Sequence, residues 1–221
     1  MAIILFLVDN SLSTAQKTPK GNSYLDTAKI AVETILKERS RDQAYLRDRY
    51  MLFTLDPPPT NVKVGWHENM STFSDRLNAI RPTGLTSLGI ALKYALDVLN
   101  LNRLSTGMDT FGQGYFPFFM ETSMVIILTD YCKLTSPCGI HNELLLPMNN
   151  TCMGFELTEE PFSWDQRIFS FVFDLRNQNP KVNHNPYANQ SPTHAMCEVT
   201  GGKHFYCWKL EESCDHSSSK H

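Results

Sequence analysis

The stretch MAIILFLVDNSLSTA, residues 1–15, decides how this chain folds. Its apolar run at residues 3–8 is short and is followed by turn-forming residues, which is typical of a strand buried on both faces of a sheet. The run stops at Asp9, and two serines, Ser11 and Ser13, follow at alternate positions. A carboxylate and two hydroxyls after a buried strand are either ordinary turn residues or part of a site.

The rest of the chain alternates apolar strands with amphipathic helices. Apolar residues at helical spacing predict helices, and short apolar runs between turn residues predict strands. The residues after the triple proline alternate apolar and polar side chains, as a half-buried edge strand does. The sequence therefore predicts an α/β fold: a mostly parallel sheet with one antiparallel edge strand and helices on both faces. The predicted helices are 24–39, 70–80 and 87–101, and the predicted strands are 3–8, 50–55, 61–66, 124–128, 168–173 and 204–208.

A chain of 221 residues suits one large domain. We predict a domain over residues 1–210 and a disordered tail at 211–221, where serines cluster. The interval 131–167 has few periodic signals and is long for a loop without structure, so it is interpreted as a long insertion or loop.

Composition narrows the range of functions. The formal net charge is −3 and the basic residues form no long block, which argues against direct nucleic-acid binding. The N-terminal apolar run lacks a basic flank and is too short to cross a bilayer, so we expect neither a signal peptide nor a membrane segment. Six cysteines lie at irregular spacings without a zinc motif, which favours reduced thiols; for Cys197 burial in the core is expected over pairing with Cys207.

Five oxygen-bearing residues are predicted to converge at one edge of the sheet. Ligand sites of open α/β sheets lie beyond the carboxyl ends of the strands. Asp9, Ser11 and Ser13 follow the first strand, Asp130 follows the strand at 124–128, and Thr86 lies in the turn before a helix. Two carboxylates and three hydroxyls suit Mg²⁺, Mn²⁺ or Ca²⁺, and they leave a coordination position for a carboxylate of another protein.

Other interpretations of the same residues stay open at this point. The cluster is a surface turn or helix cap in the simplest interpretation. An enzyme with Asp9 as the nucleophile of a Mg²⁺-dependent phosphohydrolase is disfavoured, because that chemistry needs a second acid two residues on and position 11 is serine. A third interpretation, a scaffold that binds no metal, differs from the metal-binding one only at Tyr131 and at the open coordination position. The sequence favours a protein that is not an enzyme.

The order of several sequence words resembles one known family. The site words DNSLS, GLTSLG and ILTD are similar to the metal-ion-dependent adhesion site of von Willebrand factor type A domains. Words without a metal-binding role, LNLNRL, WDQR and CEVTGG, resemble the N-terminal domain of the Integrator complex subunit 6 family, and the resemblance covers residues 1–202.

This resemblance implies a nuclear, non-enzymatic interaction module. It would act with Integrator subunits and protein phosphatase 2A in the processing of small nuclear RNA 3′ ends and in regulating transcription by RNA polymerase II. By position, the resemblance carries the metal-ligand role to Asp9, Ser11, Ser13, Thr86 and Asp130.

Two departures from the family qualify this expectation. Tyr131 stands where such domains usually have a glycine, so its ring would crowd or gate the metal. The sequence after residue 204 lacks the apolar stripe of the family's closing helix, which would leave part of one sheet face uncovered. We therefore interpret the chain as a short, divergent paralogue, with a metal-independent or degenerate scaffold outside the complex as the alternative.

Overall fold

A six-stranded sheet forms the centre of the fold. The structure, a computed structural model, describes residues 2–17, 21–106, 122–130, 134–136, 139–141, 166–173 and 192–207. The sheet has the order β3-β2-β1-β4-β7-β8, and a separate two-stranded hairpin consists of β5 and β6. The strands are β1 (Ala2–Val8), β2 (Arg49–Thr54), β3 (Val62–Val64), β4 (Thr122–Thr129), β5 (Leu134–Ser136), β6 (Gly139–His141), β7 (Gln166–Phe173) and β8 (His204–Cys207).

The first strand lies between parallel neighbours. Along its length β1 pairs with β2 on one side and with β4 on the other, and residues 3–8 are buried. β7 and β8 extend the parallel arrangement beyond β4, whereas β3 pairs antiparallel with β2 and forms the edge. The predicted fold class, a mostly parallel sheet with one antiparallel edge strand, is confirmed.

Helices cover both faces of the sheet, as predicted. The helices are α1 (Tyr24–Ser40), α2 (Met70–Ala79), α3 (Leu88–Thr106) and α4 (Pro192–Val199). The side chains of β1 alternate between the faces, so Ile3, Leu5 and Leu7 pack with α3 and α4, while Ile4, Phe6 and Val8 pack with α1 and α2. A capping box starts α1: the Ser23 side chain accepts from the Asp26 amide, and the Asp26 carboxylate accepts from the Ser23 amide.

The structure differs from the sequence-based prediction in two places. Helix α4 was not predicted, because its eight residues are too few to show a clear helical period. Within the predicted insertion 131–167, the structure has the β5–β6 hairpin, and β7 already begins at Gln166. The predicted tail at 211–221 lies outside the described residues.

Two smaller predictions concern the membrane and the cysteines. Within the part of the chain that the structure describes, none of the helices has the length and hydrophobicity to cross a bilayer. Cys197 lies fully buried in α4 with a free thiol, and burial raises the pKa of that thiol to about 12. The expected burial of Cys197 is confirmed.

Gly202, between α4 and β8, tests how closely the chain packs against β7. A Cβ atom at this position would overlap the carbonyl oxygen of Ile168, so the backbones approach too closely for any side chain. We expect Gly202→Ala to lower the free energy of unfolding by about 2 kcal/mol or more, measured by urea denaturation. The control is Gly65→Ala, where the nearest atom lies 3.9 Å away and we expect a change within about 0.5 kcal/mol. Equal stability of the two variants would contradict this packing.

Candidate metal-binding site

The predicted site lies where β1 and β4 end. The Asp9 amide donates to the carbonyl oxygen of Leu128 at 2.9 Å, which joins the end of β1 to the end of β4. Asp9 follows β1 directly and Asp130 follows β4 directly. Both carboxylates are buried, with Asp9 2% and Asp130 7% exposed. The parallel arrangement of the two strands thus brings the two acids to the same edge of the sheet.

The residues after Asp9 wrap around its carboxylate. Asp9 Oδ1 accepts from the Ser11 amide at 2.8 Å, and Oδ2 accepts from the Thr129 hydroxyl at 2.6 Å. The hydroxyl oxygens of Ser11 and Ser13 lie 2.9 Å apart, close enough to contact one ion together. A short 3-10 helix, Leu12–Ala15, follows, and its Thr14 hydroxyl donates to the carbonyl oxygen of Ser11 at 2.7 Å. The three oxygen-bearing side chains of this loop therefore form one cluster.

The loop that carries Thr86 is hydrogen-bonded to the loop that follows Asp9. The Thr83 amide donates to the carbonyl oxygen of Asn10 at 2.6 Å, and the Leu12 amide donates to that of Gly84 at 3.2 Å. On the other side of Thr86, the Ser87 hydroxyl donates to the carbonyl oxygen of Leu55 at 2.6 Å. Thr86 itself is half-buried. These bonds hold its loop at the edge of the sheet where Asp9 and Asp130 lie.

The electrostatics of the edge favour a cation. Burial raises the pKa of Asp9, hydrogen bonds from Thr129 and Ser11 oppose that rise, and the nearby Asp130 adds to it. Asp130 Oδ1 is buried and has no hydrogen-bond partner among the residues that the structure describes. In the described part of the chain, no basic side chain forms an ion pair with either acid. Two buried carboxylates without compensating charge are costly, and a divalent cation would offset that cost.

The donor set is made of oxygen atoms alone. Among the described residues, no group of three or more His, Cys, Asp or Glu side chains is placed to hold a metal ion. A metal at this edge would therefore depend on two carboxylates and on hydroxyls, which suits Mg²⁺, Mn²⁺ or Ca²⁺ rather than zinc. Tyr131, the residue expected to crowd the site, lies outside the described residues.

Sequence reasoning missed the side chain that holds the loops together. Asn10 is buried, and its Nδ2 donates to Asp56 Oδ1 at 2.9 Å and to the Thr83 hydroxyl at 3.0 Å. Its Oδ1 accepts from the Leu55 amide at 3.1 Å. Asp56 lies two residues after the end of β2, close to the edge where Asp130 follows β4, so the rule that selected Asp130 also pointed to the position of Asp56.

Asp56 differs from Asp9 in having its charge compensated. Lys63 Nζ lies 2.7 Å from Asp56 Oδ2, and the Thr54 hydroxyl donates to the same oxygen at 2.9 Å. Burial tends to raise the pKa of Asp56, but the hydrogen bonds from Lys63, Asn10 and Thr54 outweigh it and hold the pKa below its ordinary value. Asp56 is thus a stable structural support beside the candidate site.

Comparisons with known proteins agree with this architecture. The family model for the von Willebrand factor type A domain matches residues 4–132. Integrator complex subunit 6-like from Homo sapiens is 50% identical over 214 residues, which cover 96% of this chain and 25% of that protein. Integrator complex subunit 6-A from Xenopus laevis is 49% identical over 208 residues, which cover 93% of this chain and 24% of that protein. The chain thus spans about a quarter of the length of these curated relatives.

A solved structure supports the fold alone. A mutant of the PilB minor pilin from Streptococcus sanguinis aligns with a TM-score of 0.54 at 12% identity, over 94% of this chain and 57% of that one. At this identity the likeness concerns the path of the backbone and not the chemistry of the site.

The compensation of Asp56 predicts a pH-dependent contribution to stability. We expect Asp56→Asn to cost about 1 kcal/mol of unfolding free energy at neutral pH, because Lys63 and Asn10 lose a charged partner. The folded-state pKa of Asp56 lies below its ordinary value of 3.8, so this contribution is present above that pH and is lost as the pH falls through the lower folded value. Urea denaturation of the wild type and of Asp56→Asn across the acid range measures the difference in their unfolding free energies. We expect this difference to disappear once the pH lies below the folded-state pKa of Asp56.

Asp75→Asn is the matched control, since Asp75 is an exposed acid on α2. Its unfolding curve should stay within about 0.5 kcal/mol of the wild type at neutral pH. A difference between Asp56→Asn and the wild type that stayed constant from neutral to acid pH would contradict the role assigned to the Asp56 charge.

Proposed function

The chain belongs to the von Willebrand factor type A domain family, and from this premise we propose that it is a non-enzymatic protein-interaction module whose edge site holds a divalent cation. The observation that carries the proposal is the pair of buried carboxylates, Asp9 and Asp130, beside a cluster of hydroxyls; no basic side chain among the described residues compensates their charge. Two neighbouring buried carboxylates lower the stability of the fold unless a cation or a proton neutralises their charge. Proteins typically have such destabilising arrangements at functional sites.

Five residues would hold the ion: two would supply carboxylate oxygens and three would supply hydroxyl oxygens. Asp9 is oriented by Thr129 and the Ser11 amide, while Asp130 presents an oxygen to which no described residue donates a hydrogen bond. Ser11, Ser13 and Thr86 would add neutral oxygens from two loops. When bound, Mg²⁺, Mn²⁺ or Ca²⁺ supplies a positive centre that can take one oxygen from a partner protein.

The same geometry argues against the hydrolase alternative. Both carboxylate oxygens of Asp9 already accept hydrogen bonds, which holds the group in place and lowers its nucleophilicity. The residue two positions on, which would act as the general acid or base, is Ser11. We therefore assign the edge to binding and not to catalysis.

We infer that the partners are those of Integrator. Relatives that carry the name Integrator complex subunit 6 match 93–96% of this chain at 47–50% identity. We propose that this chain acts in the nucleus with Integrator subunits and protein phosphatase 2A, in small nuclear RNA 3′-end processing and in regulating transcription by RNA polymerase II. Its net charge of −3 does not favour direct binding to RNA or DNA, so these partners would make the contacts with nucleic acid.

Metal binding can be tested through stability. With chelator present, we expect Asp130→Asn to match or exceed the wild type in unfolding midpoint, because it removes one of two neighbouring buried charges. With saturating Mg²⁺ the order should reverse. The wild type should gain about 2.7 kcal/mol once the free ion reaches a hundred times its Kd, and the variant should gain little. Urea denaturation in both conditions measures this reversal, with Asp75→Asn expected to follow the wild type throughout.

Millimolar Mg²⁺, Mn²⁺ and Ca²⁺ that all leave the wild-type midpoint unchanged would contradict a metal site. If the Asp130→Asn variant is already unfolded in chelator, Asp130 has a structural role. The more conservative comparison of Asp9→Asn with Asp9→Ala then shows whether the hydrogen bonds of Asp9, rather than its charge, maintain the fold.

Membership in the complex is tested by affinity purification. Tagged wild type, Asp9→Ala and Asp75→Asn are each incubated with nuclear extract, with and without chelator, and bound proteins are identified by mass spectrometry. We expect the wild type and Asp75→Asn to retain Integrator or phosphatase subunits, and we expect Asp9→Ala and chelator to release them. Subunits retained in every sample would indicate a metal-independent scaffold, and none in any sample would contradict the Integrator assignment.

A further inference from the structure

Two histidines come together where α4 lies beside β8. The ring of His194, in α4, and the ring of His204, at the start of β8, have centres 5.6 Å apart and an angle of 67° between their planes. Their spacing in the sequence matches no histidine metal motif, so the sequence alone does not indicate that the rings meet. β8 is the outermost strand beyond β7, whereas the candidate oxygen site follows β1 and β4. The histidine pair is therefore separate from that site.

The ring nitrogens of His204 have unused hydrogen-bonding capacity. Nδ1 and Nε2 are both buried, and neither has a hydrogen-bond partner among the residues that the structure describes. A neutral imidazole has one N–H donor and one acceptor nitrogen, and it is unfavourable to leave both unsatisfied away from water.

The Ser170 hydroxyl has the same deficit beside His204. Its oxygen is buried and lacks a hydrogen-bond partner within the described part of the chain. Ser170 is opposite His204 in the parallel register of β7 and β8, so the two side chains lie on the same face of the sheet. The unsatisfied polar groups of β7 and β8 are thus next to each other, where the ring of His194 also lies.

The charge state of the pair suits metal coordination. Burial lowers the pKa of His204, and the neighbouring His194 lowers it further. His204 is therefore neutral at neutral pH, and neutral imidazole is the form that binds a metal ion. On α4, Glu198 Oε2 lies 3.7 Å from His194 Nδ1. A carboxylate beside one ring nitrogen leaves the other nitrogen for the metal, and it is a common outer partner of a metal-bound histidine.

We propose that His194 and His204 bind a transition-metal ion of the zinc class between α4 and β8. A zinc–nitrogen bond of about 2.0–2.1 Å places the centre of each ring about 3.2 Å from the ion, so two rings on a tetrahedral ion have centres about 5.2 Å apart. The observed 5.6 Å is close to this distance. Imidazole nitrogen suits Zn²⁺, Co²⁺ or Ni²⁺, whereas the oxygen atoms after β1 and β4 suit Mg²⁺. The proposal does not depend on the proposed function.

The chain supplies two ligands to this ion. Among the described residues, no group of three or more His, Cys, Asp or Glu side chains surrounds one position. Water would complete the coordination, and the Ser170 hydroxyl is placed to hydrogen-bond such a water. We therefore expect a Kd on the order of micromolar, weaker than that of a structural zinc site with four protein ligands. An ion held in this way links α4 to the outermost strand and stabilises the fold when it binds.

Cobalt tests the site because its visible absorption reports on its ligands. The purified full chain is titrated with Co²⁺ in saturating Mg²⁺ and a reducing agent that is not a thiol. We expect one Co²⁺ per chain, with the absorption of nitrogen and oxygen ligands and without a thiolate-to-cobalt charge-transfer band, which excludes the cysteines as ligands. Zn²⁺ should displace the Co²⁺, since it binds nitrogen ligands more tightly.

Variants identify the two ligands. We expect His194→Gln and His204→Gln each to raise the Kd for Co²⁺ at least about tenfold, because each removes one of two protein ligands. The matched control is His67→Gln, since His67 is exposed and follows β3 at the opposite edge of the sheet. His67→Gln and Asp130→Asn should leave the Kd unchanged. If His204→Gln does not fold, His194→Gln decides the question, because the His194 side chain is 25% exposed and easier to replace.

Stability gives a second measurement that does not use cobalt. Zn²⁺ should raise the urea midpoint of the wild type and of His67→Gln, and it should leave the midpoint of His194→Gln unchanged. With chelator present, all three proteins should have the same midpoint.

The outcomes separate this site from others on the chain. The proposal is overturned if neither Co²⁺ nor Zn²⁺ binds at about a hundred times the expected Kd. Binding that persists in His194→Gln, or that shows a thiolate band, would assign the ion to other residues and also overturn it. Binding that is lost in Asp130→Asn would assign the ion to the oxygen site after β1 and β4, with the same consequence. The Mg²⁺-dependent function is tested separately and stands or falls on its own.

Discussion

The strand β1 constrains everything else in this molecule. It is buried on both faces and pairs in parallel with β2 and β4 on its two sides, so its residues have no freedom to shift. Val8 is opposite Thr54 in one neighbour and Leu128 in the other. The three strands therefore end at the same level, and the polar residues that follow them, Asp9 among them, meet at one edge. The candidate site is a direct consequence of this register.

Most of the fold could be predicted because it depends on apolar periodicity. Long runs of buried residues specify β1, β4 and α3, and their bounds differ from the prediction by a few residues at the ends. Helix α4 was missed because eight residues do not establish a period, and the β5–β6 hairpin was missed because its strands have three residues each. Short elements of this kind form through tertiary contacts, which a single sequence does not display.

The site was predictable in part for the same reason. The topology rule places Asp9 and Asp130 at the ends of neighbouring strands, and the structure has them there. The same rule places Asp56 near this edge, but the supporting roles of Asn10 and Asp56 were not predictable, since they arise from a hydrogen bond between residues 46 positions apart. Nor does the sequence reveal that Leu12 is exposed while Ser11 is buried, because exposure follows from how the loops pack against each other.

Three carboxylates near one edge of the sheet show how a structural acid differs from a candidate metal ligand. Asp56 has Lys63, Asn10 and Thr54 as partners, and its pKa lies below the ordinary value. Asp9 is more deeply buried than Asp56, has Asp130 as its charged neighbour, and has a raised pKa. If stability alone had shaped this edge, a lysine would be as useful beside Asp9 as it is beside Asp56. A lysine there would occupy the position of a cation permanently, whereas a metal ion would leave a coordination position for a partner. The lack of a compensating cation beside Asp9 and Asp130 among the described residues is therefore the arrangement that the proposed metal-dependent binding would require.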